Sequence, residues 1–229
     1  REQSVRGPDE APSKKRRVKA IGSDFESTAN TPEIKQESNQ PGESAALQTV
    51  SIPQPVYRPV DQRLKHDERR LADLGIRLFE SKRLKLYTDI PAENARDLPG
   101  IIDAVYPAWV EYFGDLPPDR ARSDFQMTGY LIRDEALFRE AELVPEDLPM
   151  FEHGRHRRNE FWMREQNFDY FRRHLLIHEA THCFMTFMPE TNAPVWYIEG
   201  MAEHFATHRL NKDGSVEFRV MPETRENFE

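Results

Sequence analysis

Two histidines four residues apart, with a glutamate directly after the first, make up the stretch His178-Glu179-Ala180-Thr181-His182. It lies in a largely apolar run, Phe171 to Met188, whose length suits a helix. Residues four apart share one helix face, so both imidazoles point the same way. Two neutral imidazoles so placed can fill two positions of a tetrahedral zinc. Glu179 can then reach a water at the metal and act as general base in metal-assisted hydrolysis. The competing reading is a buried helix whose histidines are ordinary hydrogen-bonded core residues.

A second segment supports the zinc reading. Pro194 to Phe205 is amphipathic, and within it Glu199 and Glu203 lie one helical turn apart on a common face. A catalytic zinc takes three protein ligands and keeps a fourth position open. A carboxylate from a following helix is the usual third ligand when no third histidine is close. The variant H-E-x-x-H-x-x-G-x-x-H is excluded, because Cys183-Phe184-Met185-Thr186-Phe187-Met188 follows His182.

With these two segments the chain resembles the gluzincin clan of metallopeptidases, of which thermolysin and the aminopeptidase N family are the best-known members. Trp196, Glu199, Gly200 and Ala202 match the aminopeptidase pattern W-x-x-E-G-x-A residue for residue. The resemblance implies Zn2+ as cofactor, Glu199 as its third ligand, and a peptide or protein as substrate. It also gives Glu203 the task of holding the first zinc histidine, His178, an arrangement common around bound metals. The gap from His182 to Glu199 is slightly shorter than in those families, which leaves Glu203 open as an alternative ligand. Beyond the motifs, Arg83 to Pro118 and Asn159 to Met188 are similar to small, uncharacterised peptidase-like domains of bacteria, planctomycetes in particular. That likeness implies export to the periplasm or cell envelope.

Hydrolysis of this kind needs a donor for the oxyanion that develops on the attacked carbonyl. Tyr197 and His204, which flank Glu199, are the leading candidates by type, with Tyr130 and His208 behind them. Phe161 to Glu165, just upstream of the histidine helix, reads as an edge strand, either an ordinary one or, as the resemblance implies, one that lines the cleft and pairs with substrate backbone. His153-Gly154-Arg155-His156-Arg157-Arg158 reads as a basic loop, either solvated or binding a substrate anion; His153 and His156 are also weak candidates for a second metal site. His174, four residues before His178, reads as a neighbour on the ligand face. His66 has no evident partner. Cys183 is the only cysteine; it rules out a disulfide within the chain and reads as a small buried hydrophobe.

The remaining sequence sets bounds. A formal charge of −8 over 229 residues argues against a general nucleic-acid binder. Mean hydropathy of −0.79 and 38% hydrophobic residues point to a partly disordered chain. Residues 1–60, rich in Ser, Pro, Glu, Gln and Lys, read as a disordered tail or linker. Its basic stretch Lys14 to Lys19 is either a solvated patch or an import or polyanion-binding segment. No run of about 18 apolar residues exists, so no membrane span is expected. The chain opens on Arg1 and ends soon after the second motif segment, as a piece of a longer protein would, its domain cut short at the C-terminus.

From residue 61 to 229 the pattern is that of a single α+β domain: a small mixed sheet, then the zinc-binding helix and the third-ligand helix. Asp61 to Ser81 is expected to be helical, running up to or past Gly75. Leu84 to Ile90 is a strand. Pro91 to Phe113 is a helix that Pro99 or Pro107 kinks or shortens. Phe125 to Ile132 is a strand, Asp134 caps a short helix reaching Glu142, Asp147 to Arg158 is loop, and Asn159 to Gln166 is a third strand. The expected function is zinc-dependent peptide hydrolysis. The alternatives are a non-catalytic zinc-containing binding domain and a zinc hydrolase of a non-peptide amide or ester.

Overall fold

The computed structural model describes residues 56–59, 64–189 and 193–221, all within the unit Ile52–Glu229. The expectations for residues 1–55, the basic stretch Lys14 to Lys19 among them, lie outside the described residues. The domain is α+β. Its elements are α1 (Glu68–Asp73), β1 (Arg77–Glu80), β2 (Leu84–Thr88), α2 (Ala92–Ala95), α3 (Leu98–Phe113), β3 (Met127–Ile132), α4 (Glu135–Glu140), β4 (Gly154–Arg157), β5 (Glu160–Arg164), α5 (Asp169–Thr186), α6 (Val195–Ala206), β6 (His208–Leu210) and β7 (Val216–Phe218). No helix among the described residues is long and apolar enough to cross a membrane.

Five strands form one mixed sheet in the order β1-β2-β3-β5-β4. The inner pairs β2–β3 and β3–β5 are parallel; the outer pairs β1–β2 and β4–β5 are antiparallel. Both faces are covered, so β2, β3 and β5 are buried almost throughout. Period-two alternation sorts their side chains. Leu84, Leu86, Met127, Leu131, Phe161 and Met163 pack with Ile102, Val105 and Trp109 of α3 and Leu176, Ile177, Ala180 and Phe184 of α5. Tyr87, Tyr130 and Trp162 face the other way, onto Leu71, Ile76, Phe138, Leu143 and Val144. Gly129 admits the Phe161 ring beside it, and a Cβ there would overlap that ring.

Several boundaries differ from expectation. The first helix is far shorter than Asp61 to Ser81. Gly75 (φ +92°) closes it: the Gly75 amide donates to Ala72 O (2.9 Å) and the Ile76 amide to Leu71 O (2.8 Å). This left-handed helix stop frees Leu78 and Phe79 to enter β1. The helix expected over Pro91 to Phe113 is two, with Arg96 and Asp97 between them. Pro99 lies in the first turn of α3, where a missing amide costs nothing, and Pro107 is carried inside it. Asp134 caps α4 as expected, accepting from the amides of Ala136 and Leu137. The stretch Asp147 to Arg158 is not all loop: its last residues form β4. The β6–β7 hairpin was not anticipated from sequence.

Two polar anchors fix the helices to this sheet. The Asp103 carboxylate of α3 accepts the amides of Lys82 and Arg83 and the Ser81 hydroxyl in the β1–β2 turn. Arg172, buried in the first turn of α5, donates to Glu165 just past β5 and to Asp169. Thr181 bonds back to Ile177 O within α5. The result is a rigid α5 laid across one face of the sheet, with α6 packed alongside it.

Candidate metal centre

α5 carries His178, Glu179 and His182 on the side turned toward α6 and β4. α6 buries Ala202, Phe205 and Ala206, and Glu199 and Glu203, on the adjoining face, reach the α5 histidines. The ligand-bearing atoms converge. Nε2 of His178 and Nε2 of His182 lie 3.1 Å apart. Glu199 Oε2 lies 3.4 Å from each of them. Among the described residues, these three form the one group of His, Cys, Asp and Glu side chains so gathered, and they could hold a metal ion.

The surroundings favour the ligand forms. His182 is buried, and that burial, with His156 and His178 beside it, holds its pKa down to about 3. It is therefore neutral near pH 7, the form that coordinates. Its Nδ1 is buried with no hydrogen-bond partner among the described residues, so the ring's polarity can be answered only at Nε2, on the triangle. His178 Nδ1 lies 3.4 Å from Glu203 Oε2. An N–H donated there leaves the Nε2 lone pair free for the ion. Glu203's other oxygen lies 3.1 Å from His174 Nε2. Glu203 thus sits between two histidines behind the triangle, not in it. Glu203→Ala is expected to weaken metal binding about 10–100-fold. Competition with a chelator measures this, and an unchanged affinity would remove Glu203 from that role.

Glu179 is buried against β4. A Cβ on Gly154 would overlap the Glu179 carboxylate, so the absence of a side chain is what lets the strand come this close. His156, two residues on, points inward as well. Its Nδ1 lies 3.8 Å from Glu179 Oε2, and its ring stacks on His182 with centroids 4.4 Å apart and planes 19° apart. A cleft of about 830 Å³ opens over the centre, lined by Glu179, the three converging side chains, Glu203, His174, and residues of Met150–His156.

β4, not β5, is the edge of the sheet on this side. β5, which holds Phe161 to Arg164, is paired on both sides, so Phe161 to Glu165 is not the edge strand expected from sequence; Gly154–Arg157 is. The Arg164 amide donates to His153 O (2.7 Å). In an antiparallel ladder that phase turns the backbone groups of His153, Arg155 and Arg157 toward β5 and those of Gly154 and His156 outward.

The oxyanion candidates named from sequence sit elsewhere. Tyr130 lies on the opposite sheet face, 2.9 Å from His66 Nε2 and 3.3 Å from Glu160 Oε1. His208 is buried, stacked on Tyr170 and bonded by Arg173. Tyr197 shares a hydrogen bond with Tyr112 of α3. His204 is exposed near the end of α6. Cys183 is fully buried in the core. Sequence reading set His156 in a basic loop, or with His153 in a second metal site; the structure places it beside Glu179 and His182. Its signal was the alternation of Gly154 and His156 with Arg155 and Arg157. No protein-family model matches this chain, and comparisons with curated proteins and with solved structures return no match.

Proposed function

We propose that this chain is a zinc-dependent metallopeptidase of gluzincin type, with His178, His182 and Glu199 as ligands and Glu179 as general base. The observation that carries the reading is the convergence of the three ligand atoms. A tetrahedral zinc with bonds of 2.0–2.1 Å separates its ligand atoms by about 3.3 Å. The edges here are 3.1, 3.4 and 3.4 Å. Two imidazoles and one carboxylate are also the donor set of a catalytic zinc with an open position. The helix pair on a mixed sheet gives the α+β frame that this reading calls for.

Bound zinc would supply a Lewis acid that brings the pKa of a water toward neutrality and polarises a carbonyl. The chain's own residues do the rest. The outward backbone groups of Gly154 and His156 offer an extended peptide a strand to pair with. Glu179 takes the proton of the attacking water and returns it to the leaving amine. Glu203, steadied by His174, keeps His178 in its ligand tautomer.

The test is hydrolysis of a library of internally quenched peptides. Cleavage should disappear on chelation and return with zinc; a zinc-loaded protein that cleaves none of them contradicts the reading. The fit of β4 against the base gives a second expectation. Gly154→Ala should keep zinc but displace the Glu179 carboxylate, lowering kcat at least about tenfold, within the range a general base supplies. Unaltered kcat would mean that the contact is incidental.

A further inference from the structure

We propose that His156 is a catalytic residue of this centre, donating a hydrogen bond to the oxyanion that forms on the attacked carbonyl. The proposal rests on the metallopeptidase reading above and deepens it.

Every other imidazole around the cleft's metal end is already committed. His174 and His178 are engaged by Glu203. His182 turns Nε2 to the ligand triangle. His156 is not committed. Its Nδ1 lies 3.8 Å from Glu179 Oε2, beyond hydrogen-bond reach. Its side chain is 34% exposed, and the exposed part looks into the cleft. Stacking on His182 holds the ring beside the centre, while His156 stays outside the group of atoms that gather as ligands. A donor fixed next to the reacting atoms, yet without a protein partner, is what developing charge requires.

The chemistry balances without a proton from His156. As the water attacks, the new C–O bond forms and the carbonyl π pair moves onto its oxygen. The water's proton passes to Glu179. As the C–N bond breaks, the oxyanion's pair re-forms the C=O π bond, and the nitrogen keeps the C–N pair and receives the proton from Glu179. His156 offers an N–H to the negatively charged oxygen and keeps it throughout, so its neutral form suffices. Its place on β4, whose outward backbone would hold the peptide, puts that N–H alongside the carbonyl to be attacked. Glu179, on the ligand helix itself between His178 and His182, retains the role of base.

Two variants test the role, His156→Phe, which removes the donor, and His156→Gln, which replaces it with an amide. Both should carry wild-type zinc by elemental analysis. The Phe variant should lose about 10²–10³-fold in kcat with KM changed only a few-fold, and Gln should recover part of the loss. By calorimetry the Phe variant should bind an N-phosphoryl dipeptide, a mimic of the tetrahedral species, more weakly by a similar factor. Its affinity for the unmodified dipeptide should stay the same. If the wild type cleaves peptides but His156→Phe keeps both its kcat and its affinity for the mimic, the proposal falls and the metallopeptidase reading stands. Loss of zinc in both variants overturns it as well, by making His156 a support of the metal. A wild type that neither cleaves peptides nor binds the phosphoryl dipeptide removes the reading and the proposal together.

Discussion

Glu179→Gln is expected to leave the metal in place and to lower kcat by about 10²–10⁴-fold, the range that a positioned general base supplies. The substitution keeps the shape of the side chain, so the close contact with Gly154 and the neighbourhood of His156 survive. What it removes is the ability to accept a proton. Glu179 lies outside the ligand triangle, so zinc content should equal that of the wild type. The two readings separate in one preparation: kcat on the best peptide of the library, and zinc by elemental analysis. Full activity in the variant would refute the assigned mechanism. Loss of zinc would place Glu179 among the ligands.

The second large effect concerns the ligands themselves. His178→Ala and His182→Ala should each abolish stoichiometric metal binding, because two remaining donors cannot hold a three-ligand site against competing water. The two variants should differ in stability. His182 is 3% exposed and walled in by the core, so truncation also leaves a cavity, and a cost of about 2 kcal/mol or more is expected. His178 is less enclosed and should cost less. A ligand that binds only the folded state stabilises it by about 2.7 kcal/mol at a hundredfold excess over Kd. Added zinc should therefore raise Tm in the wild type and in neither variant. Thermal unfolding with and without zinc measures both effects. A zinc-dependent rise in Tm that persists in His178→Ala would contradict the ligand assignment.

The parts of this arrangement that were legible in the sequence are the local ones. Four-residue spacing places His178 and His182 on one helix face whatever the tertiary setting, and the same holds for Glu199 and Glu203. The apolar runs of β2, β3 and β5 are marked by their composition, and Asp134 marks a helix start. Other features depend on contacts remote in sequence. The strand order β1-β2-β3-β5-β4 makes β4 the edge, and no local pattern tells which of two adjacent strands is paired on both sides. Gly154–Arg157 carries basic residues on its exposed positions, as edge strands often do, and so resembles a solvated loop. The proximity of His156 to Glu179 follows only from that order. Likewise Tyr197 flanks Glu199 in sequence, yet its hydroxyl is turned to Tyr112 on α3, because neighbours two apart on a helix face different ways. Gly75 was visible as a glycine, but its role as a helix stop became clear only from its positive φ and the two amide bonds that close α1.

The central claim is that residues on two helices, 17 positions apart in sequence at their closest (His182 to Glu199), complete one metal site. Zinc stoichiometry by elemental analysis tests it most directly, on the purified full chain beside Glu199→Ala. The geometry predicts about one zinc per chain in the wild type, as three protein ligands hold a single ion, and a clear loss in the variant. No zinc in the wild type, or undiminished zinc in Glu199→Ala, would contradict it.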